Sequence, residues 1–263
     1  MSAATPEGPP GRLLLMPNAL DLGTEAVPLS DVLPAGVIAA ASRLAHWAVE
    51  DARSARAFLN RVNKLAPLAQ PLQQTQITEL PRPLKGGHAR DTGGREADAA
   101  WERLLDPALA GHDLGLLSEA GLPGVADPGA RLVALAHARG VPVVVLSGPS
   151  SVTLAIAASG LNGQSFAFHG YLPAEAGARR TRLRELEAQS RKLAQTQVFI
   201  ETPYRNQAML DGALEALAPA TRLAVSCGLT LPDGWSACRS AAQWKAARVT
   251  LPDRLPAVFS LLA

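Results

Sequence analysis

Residues Asp113–Gly160 read DLGLLSEAGLPGVADPGARLVALAHARGVPVVVLSGPSSVTLAIAASG, and their pattern decides the fold class. Asp113 to Ser118 has an apolar centre, Leu114 to Leu117, and runs into a Gly/Pro-rich turn, which predicts a strand. Asp127-Pro128 then opens a helix, with Asp127 placed to cap it and Pro128 in its first turn. The helix stops at Gly140, and Val141 to Leu146 is almost purely apolar, as expected of a parallel strand buried on both faces. Ser150 to Ala158 reads as a helix ended by Gly160. Strand, helix, strand, helix with tight turns implies an α/β layer on a parallel sheet.

Toward the N-terminus, Arg12 to Met16 reads as a strand closed by Pro17, Val37 to Leu44 as a helix, and Ala45 to Val49 as a strand ending in Glu50-Asp51. Arg53 to Asn63 is helical, with Phe58, Leu59 and Val62 on one side. Gln76 to Leu80 is a further strand candidate. Lys85 to Arg95 reads as an exposed loop, either functional or a plain surface excursion. Arg95 to Leu109 reads as one helix. Toward the C-terminus come a charged helix (Arg179 to Ala194), a strand (Gln197 to Ile200), a helix (Pro203 to Leu217) and strands at Arg222 to Cys227 and Val258 to Leu262. The expected organisation is a disordered tail (1–11), an N-terminal α/β domain (12–112) and a C-terminal α/β domain (113–263).

Composition bounds the chemistry. The 263 residues suit one large or two small domains. With 25 basic and 23 acidic residues the net charge is +2, so any polyanion site must be a local patch. A hydrophobic content of 48% with 18% charged residues excludes bulk disorder, and 4% aromatics require an aliphatic core. Cys227 and Cys238 are too few for a disulfide framework or a four-ligand zinc site and read as free thiols. The five histidines show no HxH or HxxxH spacing, so no metal is expected. No apolar run reaches about 18 residues, and no secretory leader is visible, so a cytoplasmic location without a membrane is expected. Gly121, Gly124 and Gly129 do not make GxGxxG, no GxxxxGK[ST] occurs, and the Gly148–Val152 run is not GxSxG.

Three loops follow strand ends: 119–129, 147–151 and 201–205. Ligands of open α/β sheets sit beyond such ends, and glycine there lets backbone approach a ligand closely. The same loops could be ordinary tight turns. Taken together, they resemble one family. Ser118 to Gly129 is similar to S-D-A-G-x-P-x-x-x-D-P-G, and Ser147-Gly148-Pro149-Ser150-Ser151 follows at a suitable distance. Ser159-Gly160-Leu161 comes next, and Phe168 to Pro173 is similar to F-x-G-F-L-P. Glu201 to Arg205 is similar to E-S-P-x-R, and Val49 to Arg53 to A-E-D-T-R. Order and spacing over about residues 12–245 resemble the tetrapyrrole methylase superfamily, most closely its ribosomal RNA small-subunit methyltransferase I branch.

The resemblance implies a two-domain class III methyltransferase fold, with a parallel-rich N-terminal sheet and a mixed C-terminal sheet. It implies S-adenosylmethionine (SAM) as donor in a cleft between the domains, S-adenosylhomocysteine as product, and a homodimer. The implied substrate is ribosomal RNA or the small ribosomal subunit, at the ribose 2′-hydroxyl of a cytidine. The implied cofactor contacts are Glu119, Gly121, Leu122, Pro123, Val125, Asp127, Ser147, Gly148, Pro149, Ser151, Phe168, Gly170 and Tyr171. Glu50, Asp51, Glu119 and Glu201 end predicted strands and are the acid/base candidates, the alternative for each being a helix cap or a structural ion pair. Arg53, Arg179, Arg180, Arg182 and Arg205 are candidate RNA contacts, the Arg179–Lys192 helix being either a cationic patch or a solvated face. Trp47 and Trp101, without an obvious internal partner, are candidate dimer contacts.

Two segments depart from the family pattern. The first loop, Pro17 to Gly23, keeps only Pro17, Leu22 and Gly23, and Ser226 to Thr230 stands where the family has R-E-L-T-K, without its Arg-Glu pair or Lys. Two alternatives therefore stand: a tetrapyrrole or corrin small-molecule methylase, and a non-catalytic SAM-binding relative associated with RNA.

Overall fold

A computed structural model describes residues 9–21, 23–81 and 94–263. The chain divides into two compact units, residues 1–149 and 150–263. The first contains β1 (Leu13–Met16), α1 (Leu29–Val32), α2 (Ala35–Arg43), β2 (His46–Val49), α3 (Ala52–Leu65) and β3 (Gln76–Glu79). It continues with α4 (Gly94–Arg103), α5 (Asp106–Leu109), β4 (Leu114–Leu117), α6 (Ala130–Ala138) and β5 (Val143–Val145). The five strands form one sheet, in the order β3-β2-β4-β1-β5, and every pairing is parallel.

The two-residue period of a strand explains how this sheet is covered on both faces. Leu14 and Met16 join a cluster with Trp47, Val49, Phe58, Leu59 and Leu117. Leu13 and Leu15 join Ala48, Trp101, Leu105, Leu116 and Leu132 in a cluster of their own. Trp47 and Trp101 are 1% and 4% exposed, so both are core side chains, and the expectation that they are dimer contacts fails. On α3 the predicted face of Phe58, Leu59 and Val62 is the buried one.

Three sequence expectations are corrected here. The expected boundary between 112 and 113 falls inside this unit, because β4 pairs with β1 and β2 and cannot start a separate domain. Val141 to Leu146 is not buried on both faces: β5 is an edge strand, and Val145 is 60% exposed. The helix expected from 95 to 109 is two helices, α4 and α5, separated by a turn at Leu104-Leu105. Of the expected tail 1–11, residues 1–8 lie outside the described residues, while Gly11 is buried and its N–H donates to Ala108 O at 2.8 Å. Of the expected 85–95 loop, residues 85–93 likewise lie outside them.

The second unit contains α7 (Ser151–Ser159), β6 (Phe166–Tyr171), α8 (Ala176–Leu193), β7 (Thr196–Glu201) and α9 (Asn206–Ala216). It ends with β8 (Arg222–Cys227), β9 (Trp235–Ser240), α10 (Ala241–Ala247) and β10 (Ala257–Leu262). Its sheet has the order β6-β7-β10-β8-β9; β6 and β7 are parallel and the other pairings antiparallel. Phe199 and Phe259 stack between neighbouring strands with ring centroids 5.5 Å apart. Val198 and Val258, one residue earlier on each strand, pack with α7 on the other face. The expected parallel-rich first sheet and mixed second sheet are thus both present.

Candidate functional site

Because all strands of the first unit are parallel, their carboxyl ends share one edge. The chain leaves β2 toward β3 on one side and β4 toward β5 on the other. Diverging connections of this kind open a crevice at the carboxyl edge of a sheet. Four loops meet at this edge, those after β1, β2, β4 and β5. Asn18 and Gly121 bridge two of them, each N–H donating to the other's carbonyl at 2.9 Å. The buried Asn18 amide also donates to Ser118 O (3.2 Å) and Glu119 O (3.0 Å). One side chain of the divergent first loop therefore secures the start of the 118–127 loop.

Glycine is required twice here. Gly121 has φ +78°, and among the described residues a Cβ built on it meets no heavy atom nearer than Pro149 O, at 3.8 Å. The backbone thus borders open space between the 121 and 149 loops, the form of a ligand cradle. Gly148 sits against the ring of Pro17, where a Cβ would lie 2.2 Å from Pro17 Cβ. Only glycine lets these two loops close together.

Asp127 does something other than cap a helix. The helix begins at Ala130, with Gly129 as its N-cap residue. The half-buried Asp127 carboxylate accepts from Gly124 N–H (3.0 and 2.9 Å) and Gly129 N–H (2.7 Å), and so ties the loop into a closed turn. Burial raises its pKa, against the opposing pull of those two hydrogen bonds. Leu122, Pro123 and Val125 lie within this closed turn; Pro123 is buried and Val125 is 41% exposed.

The acid/base candidates separate. Asp51 is the N-cap of α3, its Oδ1 accepting from Ser54 N–H at 2.7 Å, while Glu79 Oε1 accepts from Ala52 N–H at 2.9 Å. Glu50 is half-buried, and its Oε2 accepts from Glu119 N–H at 3.2 Å. Glu119 is exposed at the end of β4. Glu201 lies in the second unit, and its side chain is fully buried in an ion pair with Arg205 Nη2 at 2.6 Å. The same Oε1 accepts from Arg205 Nε (2.9 Å), Thr202 N–H (2.7 Å) and Thr202 Oγ1 (3.2 Å). A carboxylate so enclosed is a structural anchor for the turn into α9, and the expected catalytic role of Glu201 does not fit its place.

The remaining expected contacts are in the second unit except Arg53, Ser147 and Pro149. Ser151 is exposed in the first turn of α7. Phe168, Gly170 and Tyr171 lie on β6, where the register shifts between Phe168 and Tyr171 and Gly170 has φ +65°. This bulge turns Tyr171 outward, 56% exposed. Arg205 also approaches the 77%-exposed Tyr204, with its guanidinium carbon 5.9 Å from the ring centroid.

The cationic helix is not uniform. Arg179 is buried, donates to Ala174 O at 2.9 Å and packs over Gly212, so it is no RNA contact. Arg180 and Arg182 are accessible and pair with Glu215 (3.2 Å) and Glu185 (2.9 Å). Arg53 is exposed on α3. The departure at 226–227 is neutral and internal. Ser226 Oγ accepts from Ser236 Oγ at 2.8 Å, and burial pushes the Cys227 thiol up to about 11. Cys227 and Cys238 are both free. Among the described residues no cluster of three metal-ligating side chains occurs, and no helix is long and apolar enough to cross a membrane.

Two sheets of these orders define the class, the two-unit α/β fold of the class III methyltransferases. The uroporphyrin-III C-methyl transferase from Thermus thermophilus, solved complexed with S-adenyl homocysteine, shares it. That structure has a TM-score of 0.52 at 19% identity, covering 96% of this chain and 97% of that one. The chain belongs to the Tetrapyrrole (Corrin/Porphyrin) Methylases, whose family profile matches residues 35–234. It is 39% identical over 127 residues to the "Ribosomal RNA small subunit methyltransferase I" of Vibrio cholerae, covering 48% of this chain and 43% of that protein. The relative of the same name from Mesorhizobium japonicum is 36% identical over 160 residues, covering 60% of this chain and 53% of that protein. The chain thus spans about half the length of the curated relatives it matches.

Proposed function

We propose that this protein is a SAM-dependent methyltransferase that modifies ribosomal RNA of the small subunit, at the ribose 2′-hydroxyl of a cytidine. The observation that carries the reading is the cradle at the carboxyl edge of the first sheet, with open space beside Gly121 and the Pro149 carbonyl. The name shared by the relatives supports the choice of RNA as acceptor.

The residues present fit the donor. Gly121, Leu122, Pro123 and Val125, with Ser147, Gly148 and Pro149, form the wall that would hold it, and Asp127 keeps that wall closed. Ser151, Phe168, Gly170 and Tyr171 are further proposed donor contacts. Bound SAM supplies an already activated methyl group, so the protein's task is proximity and orientation. A ribose hydroxyl is a poor nucleophile and gains from a base. Glu119 is the proposed base, exposed at its strand end, with its backbone N–H held by Glu50. Arg53, Arg180, Arg182 and Arg205 are the proposed phosphate contacts. A cytoplasmic homodimer working without a metal completes the proposal.

The test is incorporation of labelled methyl groups from SAM by the purified protein, offered small ribosomal subunits in one arm and a uroporphyrinogen in the other. Label in a ribose of the RNA, lost in Glu119→Gln, is the expected result. Label in the porphyrinoid alone replaces the acceptor, and binding of SAM without label in either arm replaces the enzyme by a non-catalytic relative.

A further inference from the structure

We propose that the opposite, amino-terminal edge of the first sheet carries a second binding site, for a small monocarboxylate with an apolar body. A pocket of about 390 Å³ has its polar end there, at the end of α2 and the strand starts, and runs along α2 past Ala40 and Gly36 as far as Leu146. Arg12 precedes β1, His46 opens β2 and Asp113 precedes β4. The loops at the carboxyl edge lie beyond the far ends of the same four-residue strands, roughly 13 Å from these three polar residues. The polar rim is therefore apart from the site described above, only the apolar end at Leu146 adjoining Ser147, and the inference does not rest on the methyltransferase reading.

The lining states the ligand's chemistry. Its floor is aliphatic, from Leu14, Leu44 and Val144. Its polar rim is Arg12, Arg43, His46, His112 and Asp113. Asp113 is already taken by Arg12, whose backbone N–H (2.9 Å), Nε (3.1 Å) and Nη2 (2.5 Å) all donate to it. Arg43 has no ion pair among the described residues and is exposed in the last turn of α2. Near it the helix carbonyls are occupied, Ser42 O by Ala69 N–H (2.8 Å) and Ala41 O by Leu44 N–H (3.3 Å). Arg43 is thus the one guanidinium of the rim without an ion pair among the described residues, which matches one carboxylate and can hold it through two parallel N–H···O bonds.

The two imidazoles lie side by side, ring centroids 5.1 Å apart. His46 Nδ1 is buried without a hydrogen-bond partner among the described residues. The volume falls in the range of small-molecule pockets and suits a body about the size of two fused rings. A free phosphate would bring two charges to one guanidinium and leave the aliphatic floor uncovered.

The experiment is a calorimetric titration of the whole chain with 2-naphthoate, with 2-naphthylmethanol (the same body, uncharged) and acetate (the same charge, no body) as comparisons. Saturable binding of 2-naphthoate is expected, with shifts of the His46 and His112 ring resonances in NMR spectra. Both comparison compounds should bind at least roughly tenfold more weakly, and so should 2-naphthoate to Arg43→Met and to Val144→Asp. Arg43 is exposed, so its variant keeps the fold and decides the matter should Val144→Asp not fold. The proposal is overturned by no saturable 2-naphthoate binding up to millimolar concentration, by undiminished affinity in Arg43→Met, or by equal binding of 2-naphthylmethanol.

Discussion

A valine at position 121 meets two obstacles at once. It forces a β-branched residue to φ +78°, where L side chains are strained, and it places methyl groups in the space beside Pro149 O. SAM affinity measured by calorimetry is therefore expected to fall at least about tenfold in Gly121→Val with secondary structure retained. Equal affinity in the folded variant would place the donor elsewhere. Asp127 makes a pH-dependent prediction. Its folded pKa is raised above the ordinary 3.8, so the fold favours the protonated acid. That contribution is fully present below the unfolded value and is lost as pH rises through the raised folded value. At neutral pH the carboxylate is charged at some cost, but its oxygens still bind Gly124 and Gly129. Asp127→Asn keeps an acceptor and drops the charge. It should match the parent in urea melts near neutral pH and lack the parent's stability gain on acidification. Asp127→Ala leaves the glycine N–H groups unpaired and should cost about 1–3 kcal/mol.

On α8 a sequence-level patch of arginines resolves into two kinds of residue. Arg179 is held under the surface against α9, whereas Arg180 and Arg182 face solvent. Replacing Arg180 and Arg182 by Gln should flatten the salt dependence of RNA binding by roughly 0.7–0.9 in logarithmic slope for each phosphate that is no longer neutralised. Their ion pairs are at the surface and worth about 0–1 kcal/mol each, so the fold should persist. Arg179→Ala should instead lower stability by about 1–3 kcal/mol through an unpaired Ala174 carbonyl and poorer packing, with the salt slope of the folded fraction unchanged. Filter binding across a salt series and thermal melts separate the two. An unchanged slope in the double variant would remove α8 from the RNA surface. The same scale explains which elements were readable. β1, β2, β4, β8 and β10 announce themselves by apolar runs, whereas β9 (Trp235–Ser240, WSACRS) carries polar residues and depends on its pairing with β8.

At the scale of the whole molecule, the proposed homodimer needs an exposed apolar surface. Trp47 and Trp101 are interior. Exposed apolar side chains lie elsewhere, at Val145 (60%) on the edge strand β5 and at Tyr171 (56%) and Tyr204 (77%) in the second unit. An edge strand with an exposed valine offers backbone and apolar surface to a partner. Light scattering at micromolar concentration should give twice the chain mass, and Val145→Lys should shift the equilibrium toward monomer. A parent protein that stays monomeric ends the dimer proposal.

The sequence by itself determined the parallel α/β character of the first unit and the order of the family's loops. Those signals are local: apolar runs of strand length, glycines and prolines at their ends, and the amphipathic face of α3. Only the tertiary structure decided where the units divide, because pairing of β4 with β1 and β2 joins residues about 70–100 positions apart. It also decided that the apolar Val143–Val145 run is an edge and not a centre, since hydrophobicity does not encode a strand's neighbours. The roles of the charged residues came from the fold as well. In one dimension Glu201 and Arg179 look like free functional groups and Asp127 like a helix cap. Burial and partners made them an anchor, a packed side chain and a loop tie, because a charge is useful to a ligand only where the fold leaves it accessible.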